Sequence, residues 1–251
     1  MTLSTIRNNP TKQKKVKTKK QKAIAATCAV AFWLLVWHVI SLCVGSELVL
    51  VSPVKVVQTL FTVIFDPDFL KTVWYSAARI LGGFFTALTL GTVLGWVASR
   101  FWVVETLLRP ITAVIKATPV ASFIILVLLW FSGKNLSVII SMLMVFPVIY
   151  MNVLEGIRSA DEKLLEMAQV FRLSVGKKLL YIYLPAVAPF FVSACSVSLG
   201  LCWKSGIAAE VIGMPDGSIG EQLQQAKIYL NTPDLFAWTL VIVLVSLIFE
   251  K

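Results

Sequence analysis

The sequence predicts an all-α fold, a polytopic bundle of about six transmembrane helices, and three observations carry that prediction. Hydrophobic residues make up 58% of the 251 positions and charged ones only 14%, against about 25% charged in an ordinary soluble domain. The apolar residues fall in runs close to the ~20 needed to cross ~30 Å of hydrocarbon. Most of the basic residues gather beside those runs rather than inside them.

The chain opens with a polar, basic tail over 1–22, expected to be disordered. Its lysines (Lys12, Lys14, Lys15, Lys17, Lys19, Lys20 and Lys22) supply much of the net charge of +10. No aromatic residues interleave with them, which argues against nucleic acid and for an anchor on anionic cytoplasmic lipid. The first apolar run, 23–44, is too long for the ~7–15-residue core of a signal peptide and reads as a retained span. Residues 47–71 are mixed, with one short amphipathic helix near 54–64.

Spans follow at 73–98, at 107–131 with a break at Pro119, at 136–154 with Pro147 inside, at 181–203 and at 235–249. Ser132-Gly133-Lys134-Asn135 marks a turn, and 155–180 is a polar helical loop. The last span is short and ends two residues before the chain does, which favours a truncated sequence over a thin, tilted helix. With the N-terminus inside, 99–105 and 155–180 are cytoplasmic. The latter carries Arg158, Lys163, Arg172, Lys177 and Lys178, as the positive-inside rule asks.

Within the second span, Gly83, Ala87, Gly91 and Gly95 recur every four residues and form one small-residue face on which another helix can approach closely. Arg79, Lys116, Lys204 and Glu210 lie inside or at the edges of spans. Charge there is costly, so such residues tend to face a bundle interior or a water-filled path. Lys116 is the deepest, three residues before Pro119; snorkelling to an interface is its plainer reading. Arg79 sits toward the outer end of its helix, and Lys204 and Glu210 are expected near the outer mouth. Pro119 serves either as static shape or as part of a gate.

Cys28, Cys43, Cys195 and Cys202 read as small apolar filler, and the single His38 as a packed helix residue. The sequence offers no metal-ligand cluster, no Walker-type phosphate loop and no convincing nucleophile–base pair. In the loop, Leu164, Ala168, Phe171 and Val175 are spaced 4, 3 and 4, giving one apolar face rimmed by Lys163, Glu166, Gln169 and Arg172. Such a ridge fits the groove of a partner protein or the surface of a lipid bilayer equally well.

At this segment the sequence resembles the inner-membrane permease subunits of ATP-binding-cassette importers. Their cytoplasmic signature reads Glu-Ala-Ala, three residues, Gly, nine residues, then Ile-x-Leu-Pro. Glu166 and Ala168 match its start, and Ile182, Leu184 and Pro185 its end. Met167 departs from it, and so does Arg172, which stands where the Gly between two short helices is expected. Gly176 offers a nearby break. The resemblance extends to Ser76–Phe84, Ala117-Thr118-Pro119-Val120, Leu129–Gly133, Trp203-Lys204 and Ala208–Gly213, and is nearest the nitrate, sulfonate, taurine and bicarbonate subgroup, which includes importers of a thiamine pyrimidine precursor.

The resemblance implies a type I importer permease domain over 23–251 in a bacterial-type inner membrane. It also implies a second permease copy and two ATPase subunits docked on 161–176. ATP and magnesium would bind on those subunits and no cofactor on this chain. A separate binding protein would deliver the solute. The chain itself would translocate and not catalyse. The competing reading is a secondary transporter or channel uncoupled from ATP. It needs a coupling site inside the bundle, for which only Lys116 and Arg79 are candidates and no mid-span carboxylate is available.

Overall fold

The computed structural model describes residues 19–249, so the tail expected to be disordered lies outside the described residues over 1–18. The described residues divide into two compact units, on either side of residue 53. The first holds α1 (Lys19–Val44), whose Phe32, Trp33 and Leu35 all stand out from the helix, as they do on a span that is apolar all round. Gly45, in the left-handed region at φ 64°, ends it, and Ser41 Oγ donates to the Leu50 carbonyl at 3.2 Å to close the following turn.

The short amphipathic helix expected at 54–64 forms as α2 (Pro53–Ile64). Proline suits its first position, where the N–H has no helical partner to lose. The second span is α3 (Phe69–Arg100), whose 32 residues make a rod of about 48 Å at 1.5 Å per residue. The third span, expected at 107–131 with a break at Pro119, is broken there and begins five residues earlier, at Trp102. It forms α4 (Trp102–Ala117) and α5 (Val120–Leu128), set at 107° to each other. Pro119 causes the break: it drives Thr118 to an extended ψ of 133° and has no N–H with which to continue the ladder.

α6 (Gly133–Arg158) starts inside the expected turn and carries Pro147 buried within it. Two short helices follow, α7 (Glu162–Val170) and α8 (Val175–Lys178). α8 runs through a π turn, Leu179–Tyr183, into α9 (Leu184–Gly213). In the π turn the Leu184 N–H reaches back to the Leu179 carbonyl. This looser register lies just before Pro185, which cannot donate. The apolar stretch is thereby one 39-residue helix, Val175–Gly213, ten residues longer at its far end than the span expected to stop at Trp203. α10 (Ile219–Ile228) and α11 (Thr232–Phe249) complete the chain.

Among the described residues five helices are long and apolar enough to cross a membrane, and six if α4 and α5 count as one broken span. The protein is therefore a multi-pass membrane protein with an all-α fold. α3, α6 and α9 form its centre. The small-residue stripe of α3 is fully used there, against α6. A Cβ on Gly83 would meet the Val138 carbonyl and lie 2.8 Å from Ser141 Cβ. One on Gly91 would lie 3.0 Å from the Ile149 side chain, and one on Gly95 3.0 Å from the Tyr150 carbonyl. From the other side Gly206 of α9 enters the same seam, where a Cβ would sit 2.5 Å from Ile80 Cγ1 and 2.7 Å from Ser141 Oγ. α11 is fixed to α9 by buried Trp203, whose Nε1 donates to the Ile242 carbonyl at 3.0 Å.

Candidate functional site: the loop between α6 and α9

Asp161 opens α7 by accepting the Lys163 backbone N–H at 2.9 Å, which satisfies one of the helix's orphan donors. The helix ends in a Schellman turn. The Arg172 N–H donates to the Gln169 carbonyl at 3.0 Å and the Leu173 N–H to the Ala168 carbonyl at 2.9 Å. Such a turn needs a left-handed residue, and Arg172 supplies it at φ 49°. The side chain that replaces the expected glycine thus adopts the glycine's backbone shape, at a cost of about 1–2 kcal/mol. Gly176 lies inside α8 and does not make the break.

This turn corrects the ridge read from the sequence. Leu164 and Ala168 lie on α7, Phe171 caps it, and Val175 begins a different helix, so the four do not share one helical face. Instead they separate by role. Ala168 is completely buried, in a small core with Ala160 and Ile182, on which Leu165, Leu173 and Tyr183 pack. The two ends of the signature segment therefore meet. Ala168 from its start touches the same core as Ile182 from its end, and the spacing between them is the chain length of one turn, α8 and half the π turn. Ala186, at the base of α9, packs on the same core.

What remains outside is apolar. Phe171 is 73% exposed, Val170 78% and Val175 81%, with Leu164 and Met167 half-exposed. Glu166 lies on the exposed side of α7. Val170 escaped the sequence reading; its signal is its place one turn after Met167, on the face opposite Ala168. Leu184 and Pro185 are exposed at the start of α9, where the missing Pro185 N–H follows directly on the looser register of the π turn. Arg158, at the end of α6, pairs with Glu105 in the first turn of α4, joining the two ends of the bundle nearest this loop.

The charged span residues fall into two groups. Lys116 is exposed in the last turn of α4, with Nζ 3.4 Å from Met151 Sδ of α6, one residue pair before the Pro119 break. Lys204 is exposed on α9, at the end of a groove formed with Ser196, Val197, Gly200 and Leu201. Glu210 is different. It is completely buried, and accepts a hydrogen bond from Ser76 Oγ at 2.7 Å. Ser76 Oγ in turn accepts the Ile219 N–H at 2.9 Å, so one carboxylate and one hydroxyl join α9, α3 and α10. Arg79, one turn along α3 from Ser76, donates from Nη2 to Asn135 Oδ1 at 3.5 Å, and its guanidinium lies 5.0 Å from the Tyr75 ring centroid.

Residues 87–250 match the family described as binding-protein-dependent transport system inner membrane component. The chain is 29% identical over 214 residues to the candidate aliphatic sulfonates transport permease protein SsuC of Bacillus subtilis, covering 84% of this chain and 77% of that one. It is 27% identical over 220 residues to the taurine transport system permease protein TauC of Escherichia coli, covering 85% and 80%. It is 25% identical over 202 residues to the nitrate import permease protein NrtB of Synechocystis, covering 76% and 72%. The family match takes in the second half of α3 from residue 87, the broken span, the whole loop with its buried Ala168 and Ile182, and the helices after it. The chain belongs to the binding-protein-dependent transport inner-membrane family, and is a membrane-spanning permease subunit of an ATP-binding-cassette transporter.

Proposed function

We propose that this chain forms the translocation pathway of an ATP-driven importer, paired with a second permease copy. The carrying observation is the loop's division of labour: Ala168 and Ile182 fasten it to the base of α9, and Phe171, Val170 and Val175 are left outside. An exposed apolar knob on a short, capped helix suits a groove on a partner. The partner is an ATPase subunit that holds ATP and magnesium, so hydrolysis takes place off this chain. Force applied at α7 passes through Ile182 into the 39-residue helix that ends in α9. A bundle with two stable packings, biased by such a contact, alternates between inward- and outward-facing states.

Phe171, Leu164, Glu166 and Arg172 form the contact, in this reading, and 155–180 faces the cytoplasm with the N-terminus. The remainder from residue 23 is the transmembrane domain of a bacterial-type inner-membrane protein. Lys116 and Lys204, exposed on α4 and α9, line the path, with Pro119 setting the bend beside it. The cargo is a small polar or anionic solute of the kind named for the sulfonate, taurine and nitrate relatives. A separate binding protein brings it to the outer mouth.

The test is to isolate the tagged full chain from native membranes in mild detergent and identify what accompanies it by mass spectrometry. Co-isolation of an ATP-binding-cassette ATPase and a solute-binding protein is expected, and the solute held by that binding protein names the cargo. If no ATPase appears under conditions that keep a control complex whole, coupling to ATP is refuted in favour of a secondary transporter or channel.

A further inference from the structure

At the end of the bundle that carries α7 and α8, an open groove of ≈ 480 Å³ runs between α3, α6 and α9. That is within the range of roughly 300–1,000 Å³ that holds small organic ligands. Its walls are apolar: Val93 on α3, Val153 on α6, and Leu184 and Val187 on α9. A second hollow of ≈ 310 Å³ adjoins it, and the two share Trp96, Ile157, Leu179 and Tyr183. The second hollow differs in charge. Its remaining wall brings in Ser99 and Arg100 from the end of α3 and Lys178 from α8. Neither Arg100 nor Lys178 is in an ion pair among the described residues, and no carboxylate lines either hollow.

The arrangement is an apolar slot that ends in two cations. The slot belongs to the stretch of α3 that crosses the membrane, and the cations sit at that helix's last residue and on the short helix beyond. A soluble anion would use the cations and leave the slot empty. An uncharged lipid would fill the slot and leave the cations unmet. A second protein chain seated there would have to place carboxylates against both cations. One common molecule satisfies both halves at the depth where they occur. We propose that this groove binds one anionic phospholipid, with an acyl chain along Val93, Val153 and Val187 and the phosphate on Arg100 and Lys178. Basic pockets between transmembrane helices hold anionic headgroups in this way. The lipid would rest against Leu179 and Tyr183, the π turn through which α7's loop joins α9, so its presence would stiffen the loop's attachment. This inference rests on Arg100, Lys178 and the apolar slot and not on Phe171, although Val175 borders the second hollow as well.

The experiment is native mass spectrometry of the full-length chain, purified with whatever subunits accompany it. It is stripped of lipid and then titrated with phosphatidylglycerol or with phosphatidylcholine of identical acyl chains. Wild type is expected to retain one phosphatidylglycerol in preference to phosphatidylcholine. The double variant R100A/K178A should retain it about thirty-fold more weakly, as the loss of two membrane-surface cations implies. Val187→Trp, which fills the slot and keeps both cations, should also lose it; an unchanged elution profile shows that each variant is folded. Equal retention of the two lipids, or no effect of either substitution, overturns the proposal. So does displacement of the bound species by inorganic phosphate alone, which would assign the cations to a soluble anion. A disulfide formed in the intact complex between Leu184→Cys and another protein segment would do the same, by showing the groove to be covered.

Discussion

The two ends of the long helix through α9 are held in opposite ways. At the Gly213 end nothing is loose. Gly133 and Gly213 touch backbone to backbone, Gly220 lies against the Glu210 main chain, and the Glu210 carboxylate is sealed inside on Ser76. At the Ile182 end a core of three buried residues holds the loop, and large apolar side chains stand outside it. The first end is built to keep three helices in one arrangement. The second is built as a handle: fixed to the lever by a few contacts, with its working face unfilled. The contrast separates residues that maintain the bundle from residues that meet a partner, although both sets are apolar or charged in the sequence.

Substitutions can break this contrast in graded steps. The largest expected effect is at the α3–α6 seam. Gly83→Val would drive side-chain atoms into the Val138 carbonyl, a backbone group that cannot move aside, and should destabilise the bundle by about 3 kcal/mol or more. Thermal unfolding in detergent measures it, and an unchanged midpoint would show the seam to be looser than the geometry says. Ala168→Asp comes next. It puts a charge into the small loop core, so limited proteolysis should cut within 160–180 and transport should stop. The melting of the bundle itself should shift little. If bundle and loop fail together, the two ends of α9 are not independent.

Glu210→Ala should cost roughly 1–3 kcal/mol, because Ser76 loses its buried acceptor. Glu210→Gln, which keeps an acceptor oxygen, should cost less than Glu210→Ala. A larger loss for the Gln variant would mean that charge rather than the hydrogen bond holds the joint. The smallest effect is at the loop turn. Arg172→Gly relieves the left-handed strain at φ 49° and should stabilise the loop by up to about 1 kcal/mol. Its rate of proteolysis should fall accordingly. Loss of ATPase retention in that variant would show that the guanidinium is itself a contact.

Much of the bundle was legible in the sequence, for reasons that particular residues make clear. The stripe Gly83, Ala87, Gly91, Gly95 repeats at helical spacing, so its face was plain, and the structure adds that α6 occupies it. Pro119 marked the break in the third span, but not its 107°, which depends on how α5 packs on α6 and α9. The burial of Glu210 was not legible, because hydropathy charges every carboxylate alike. Its acceptor role depends on Ser76, 134 residues away, which no local pattern reveals. The same blindness shortened α9, since Lys204 points outward and Glu210 is sealed inside, yet both lower the average apolarity. The loop's ridge failed for a different reason. Its period was read as one helix, although the resemblance placed a break between two short helices at Arg172; the two backbone bonds that set the left-handed turn leave no mark on periodicity.

The central claim is that the exposed side of this loop is a docking face, and Phe171→Asp tests it most directly. Phe171 is 73% exposed and outside the core formed by Ala160, Ala168 and Ile182, so the variant should melt within about 0.5 kcal/mol of wild type. The decisive measurement is the amount of ATPase subunit that co-purifies with the tagged full chain. The account predicts that the Phe171→Asp chain elutes as wild type does but retains almost no ATPase. Wild-type retention with a charge at Phe171 would contradict it, and would leave the apolar face of the loop to the lipid surface.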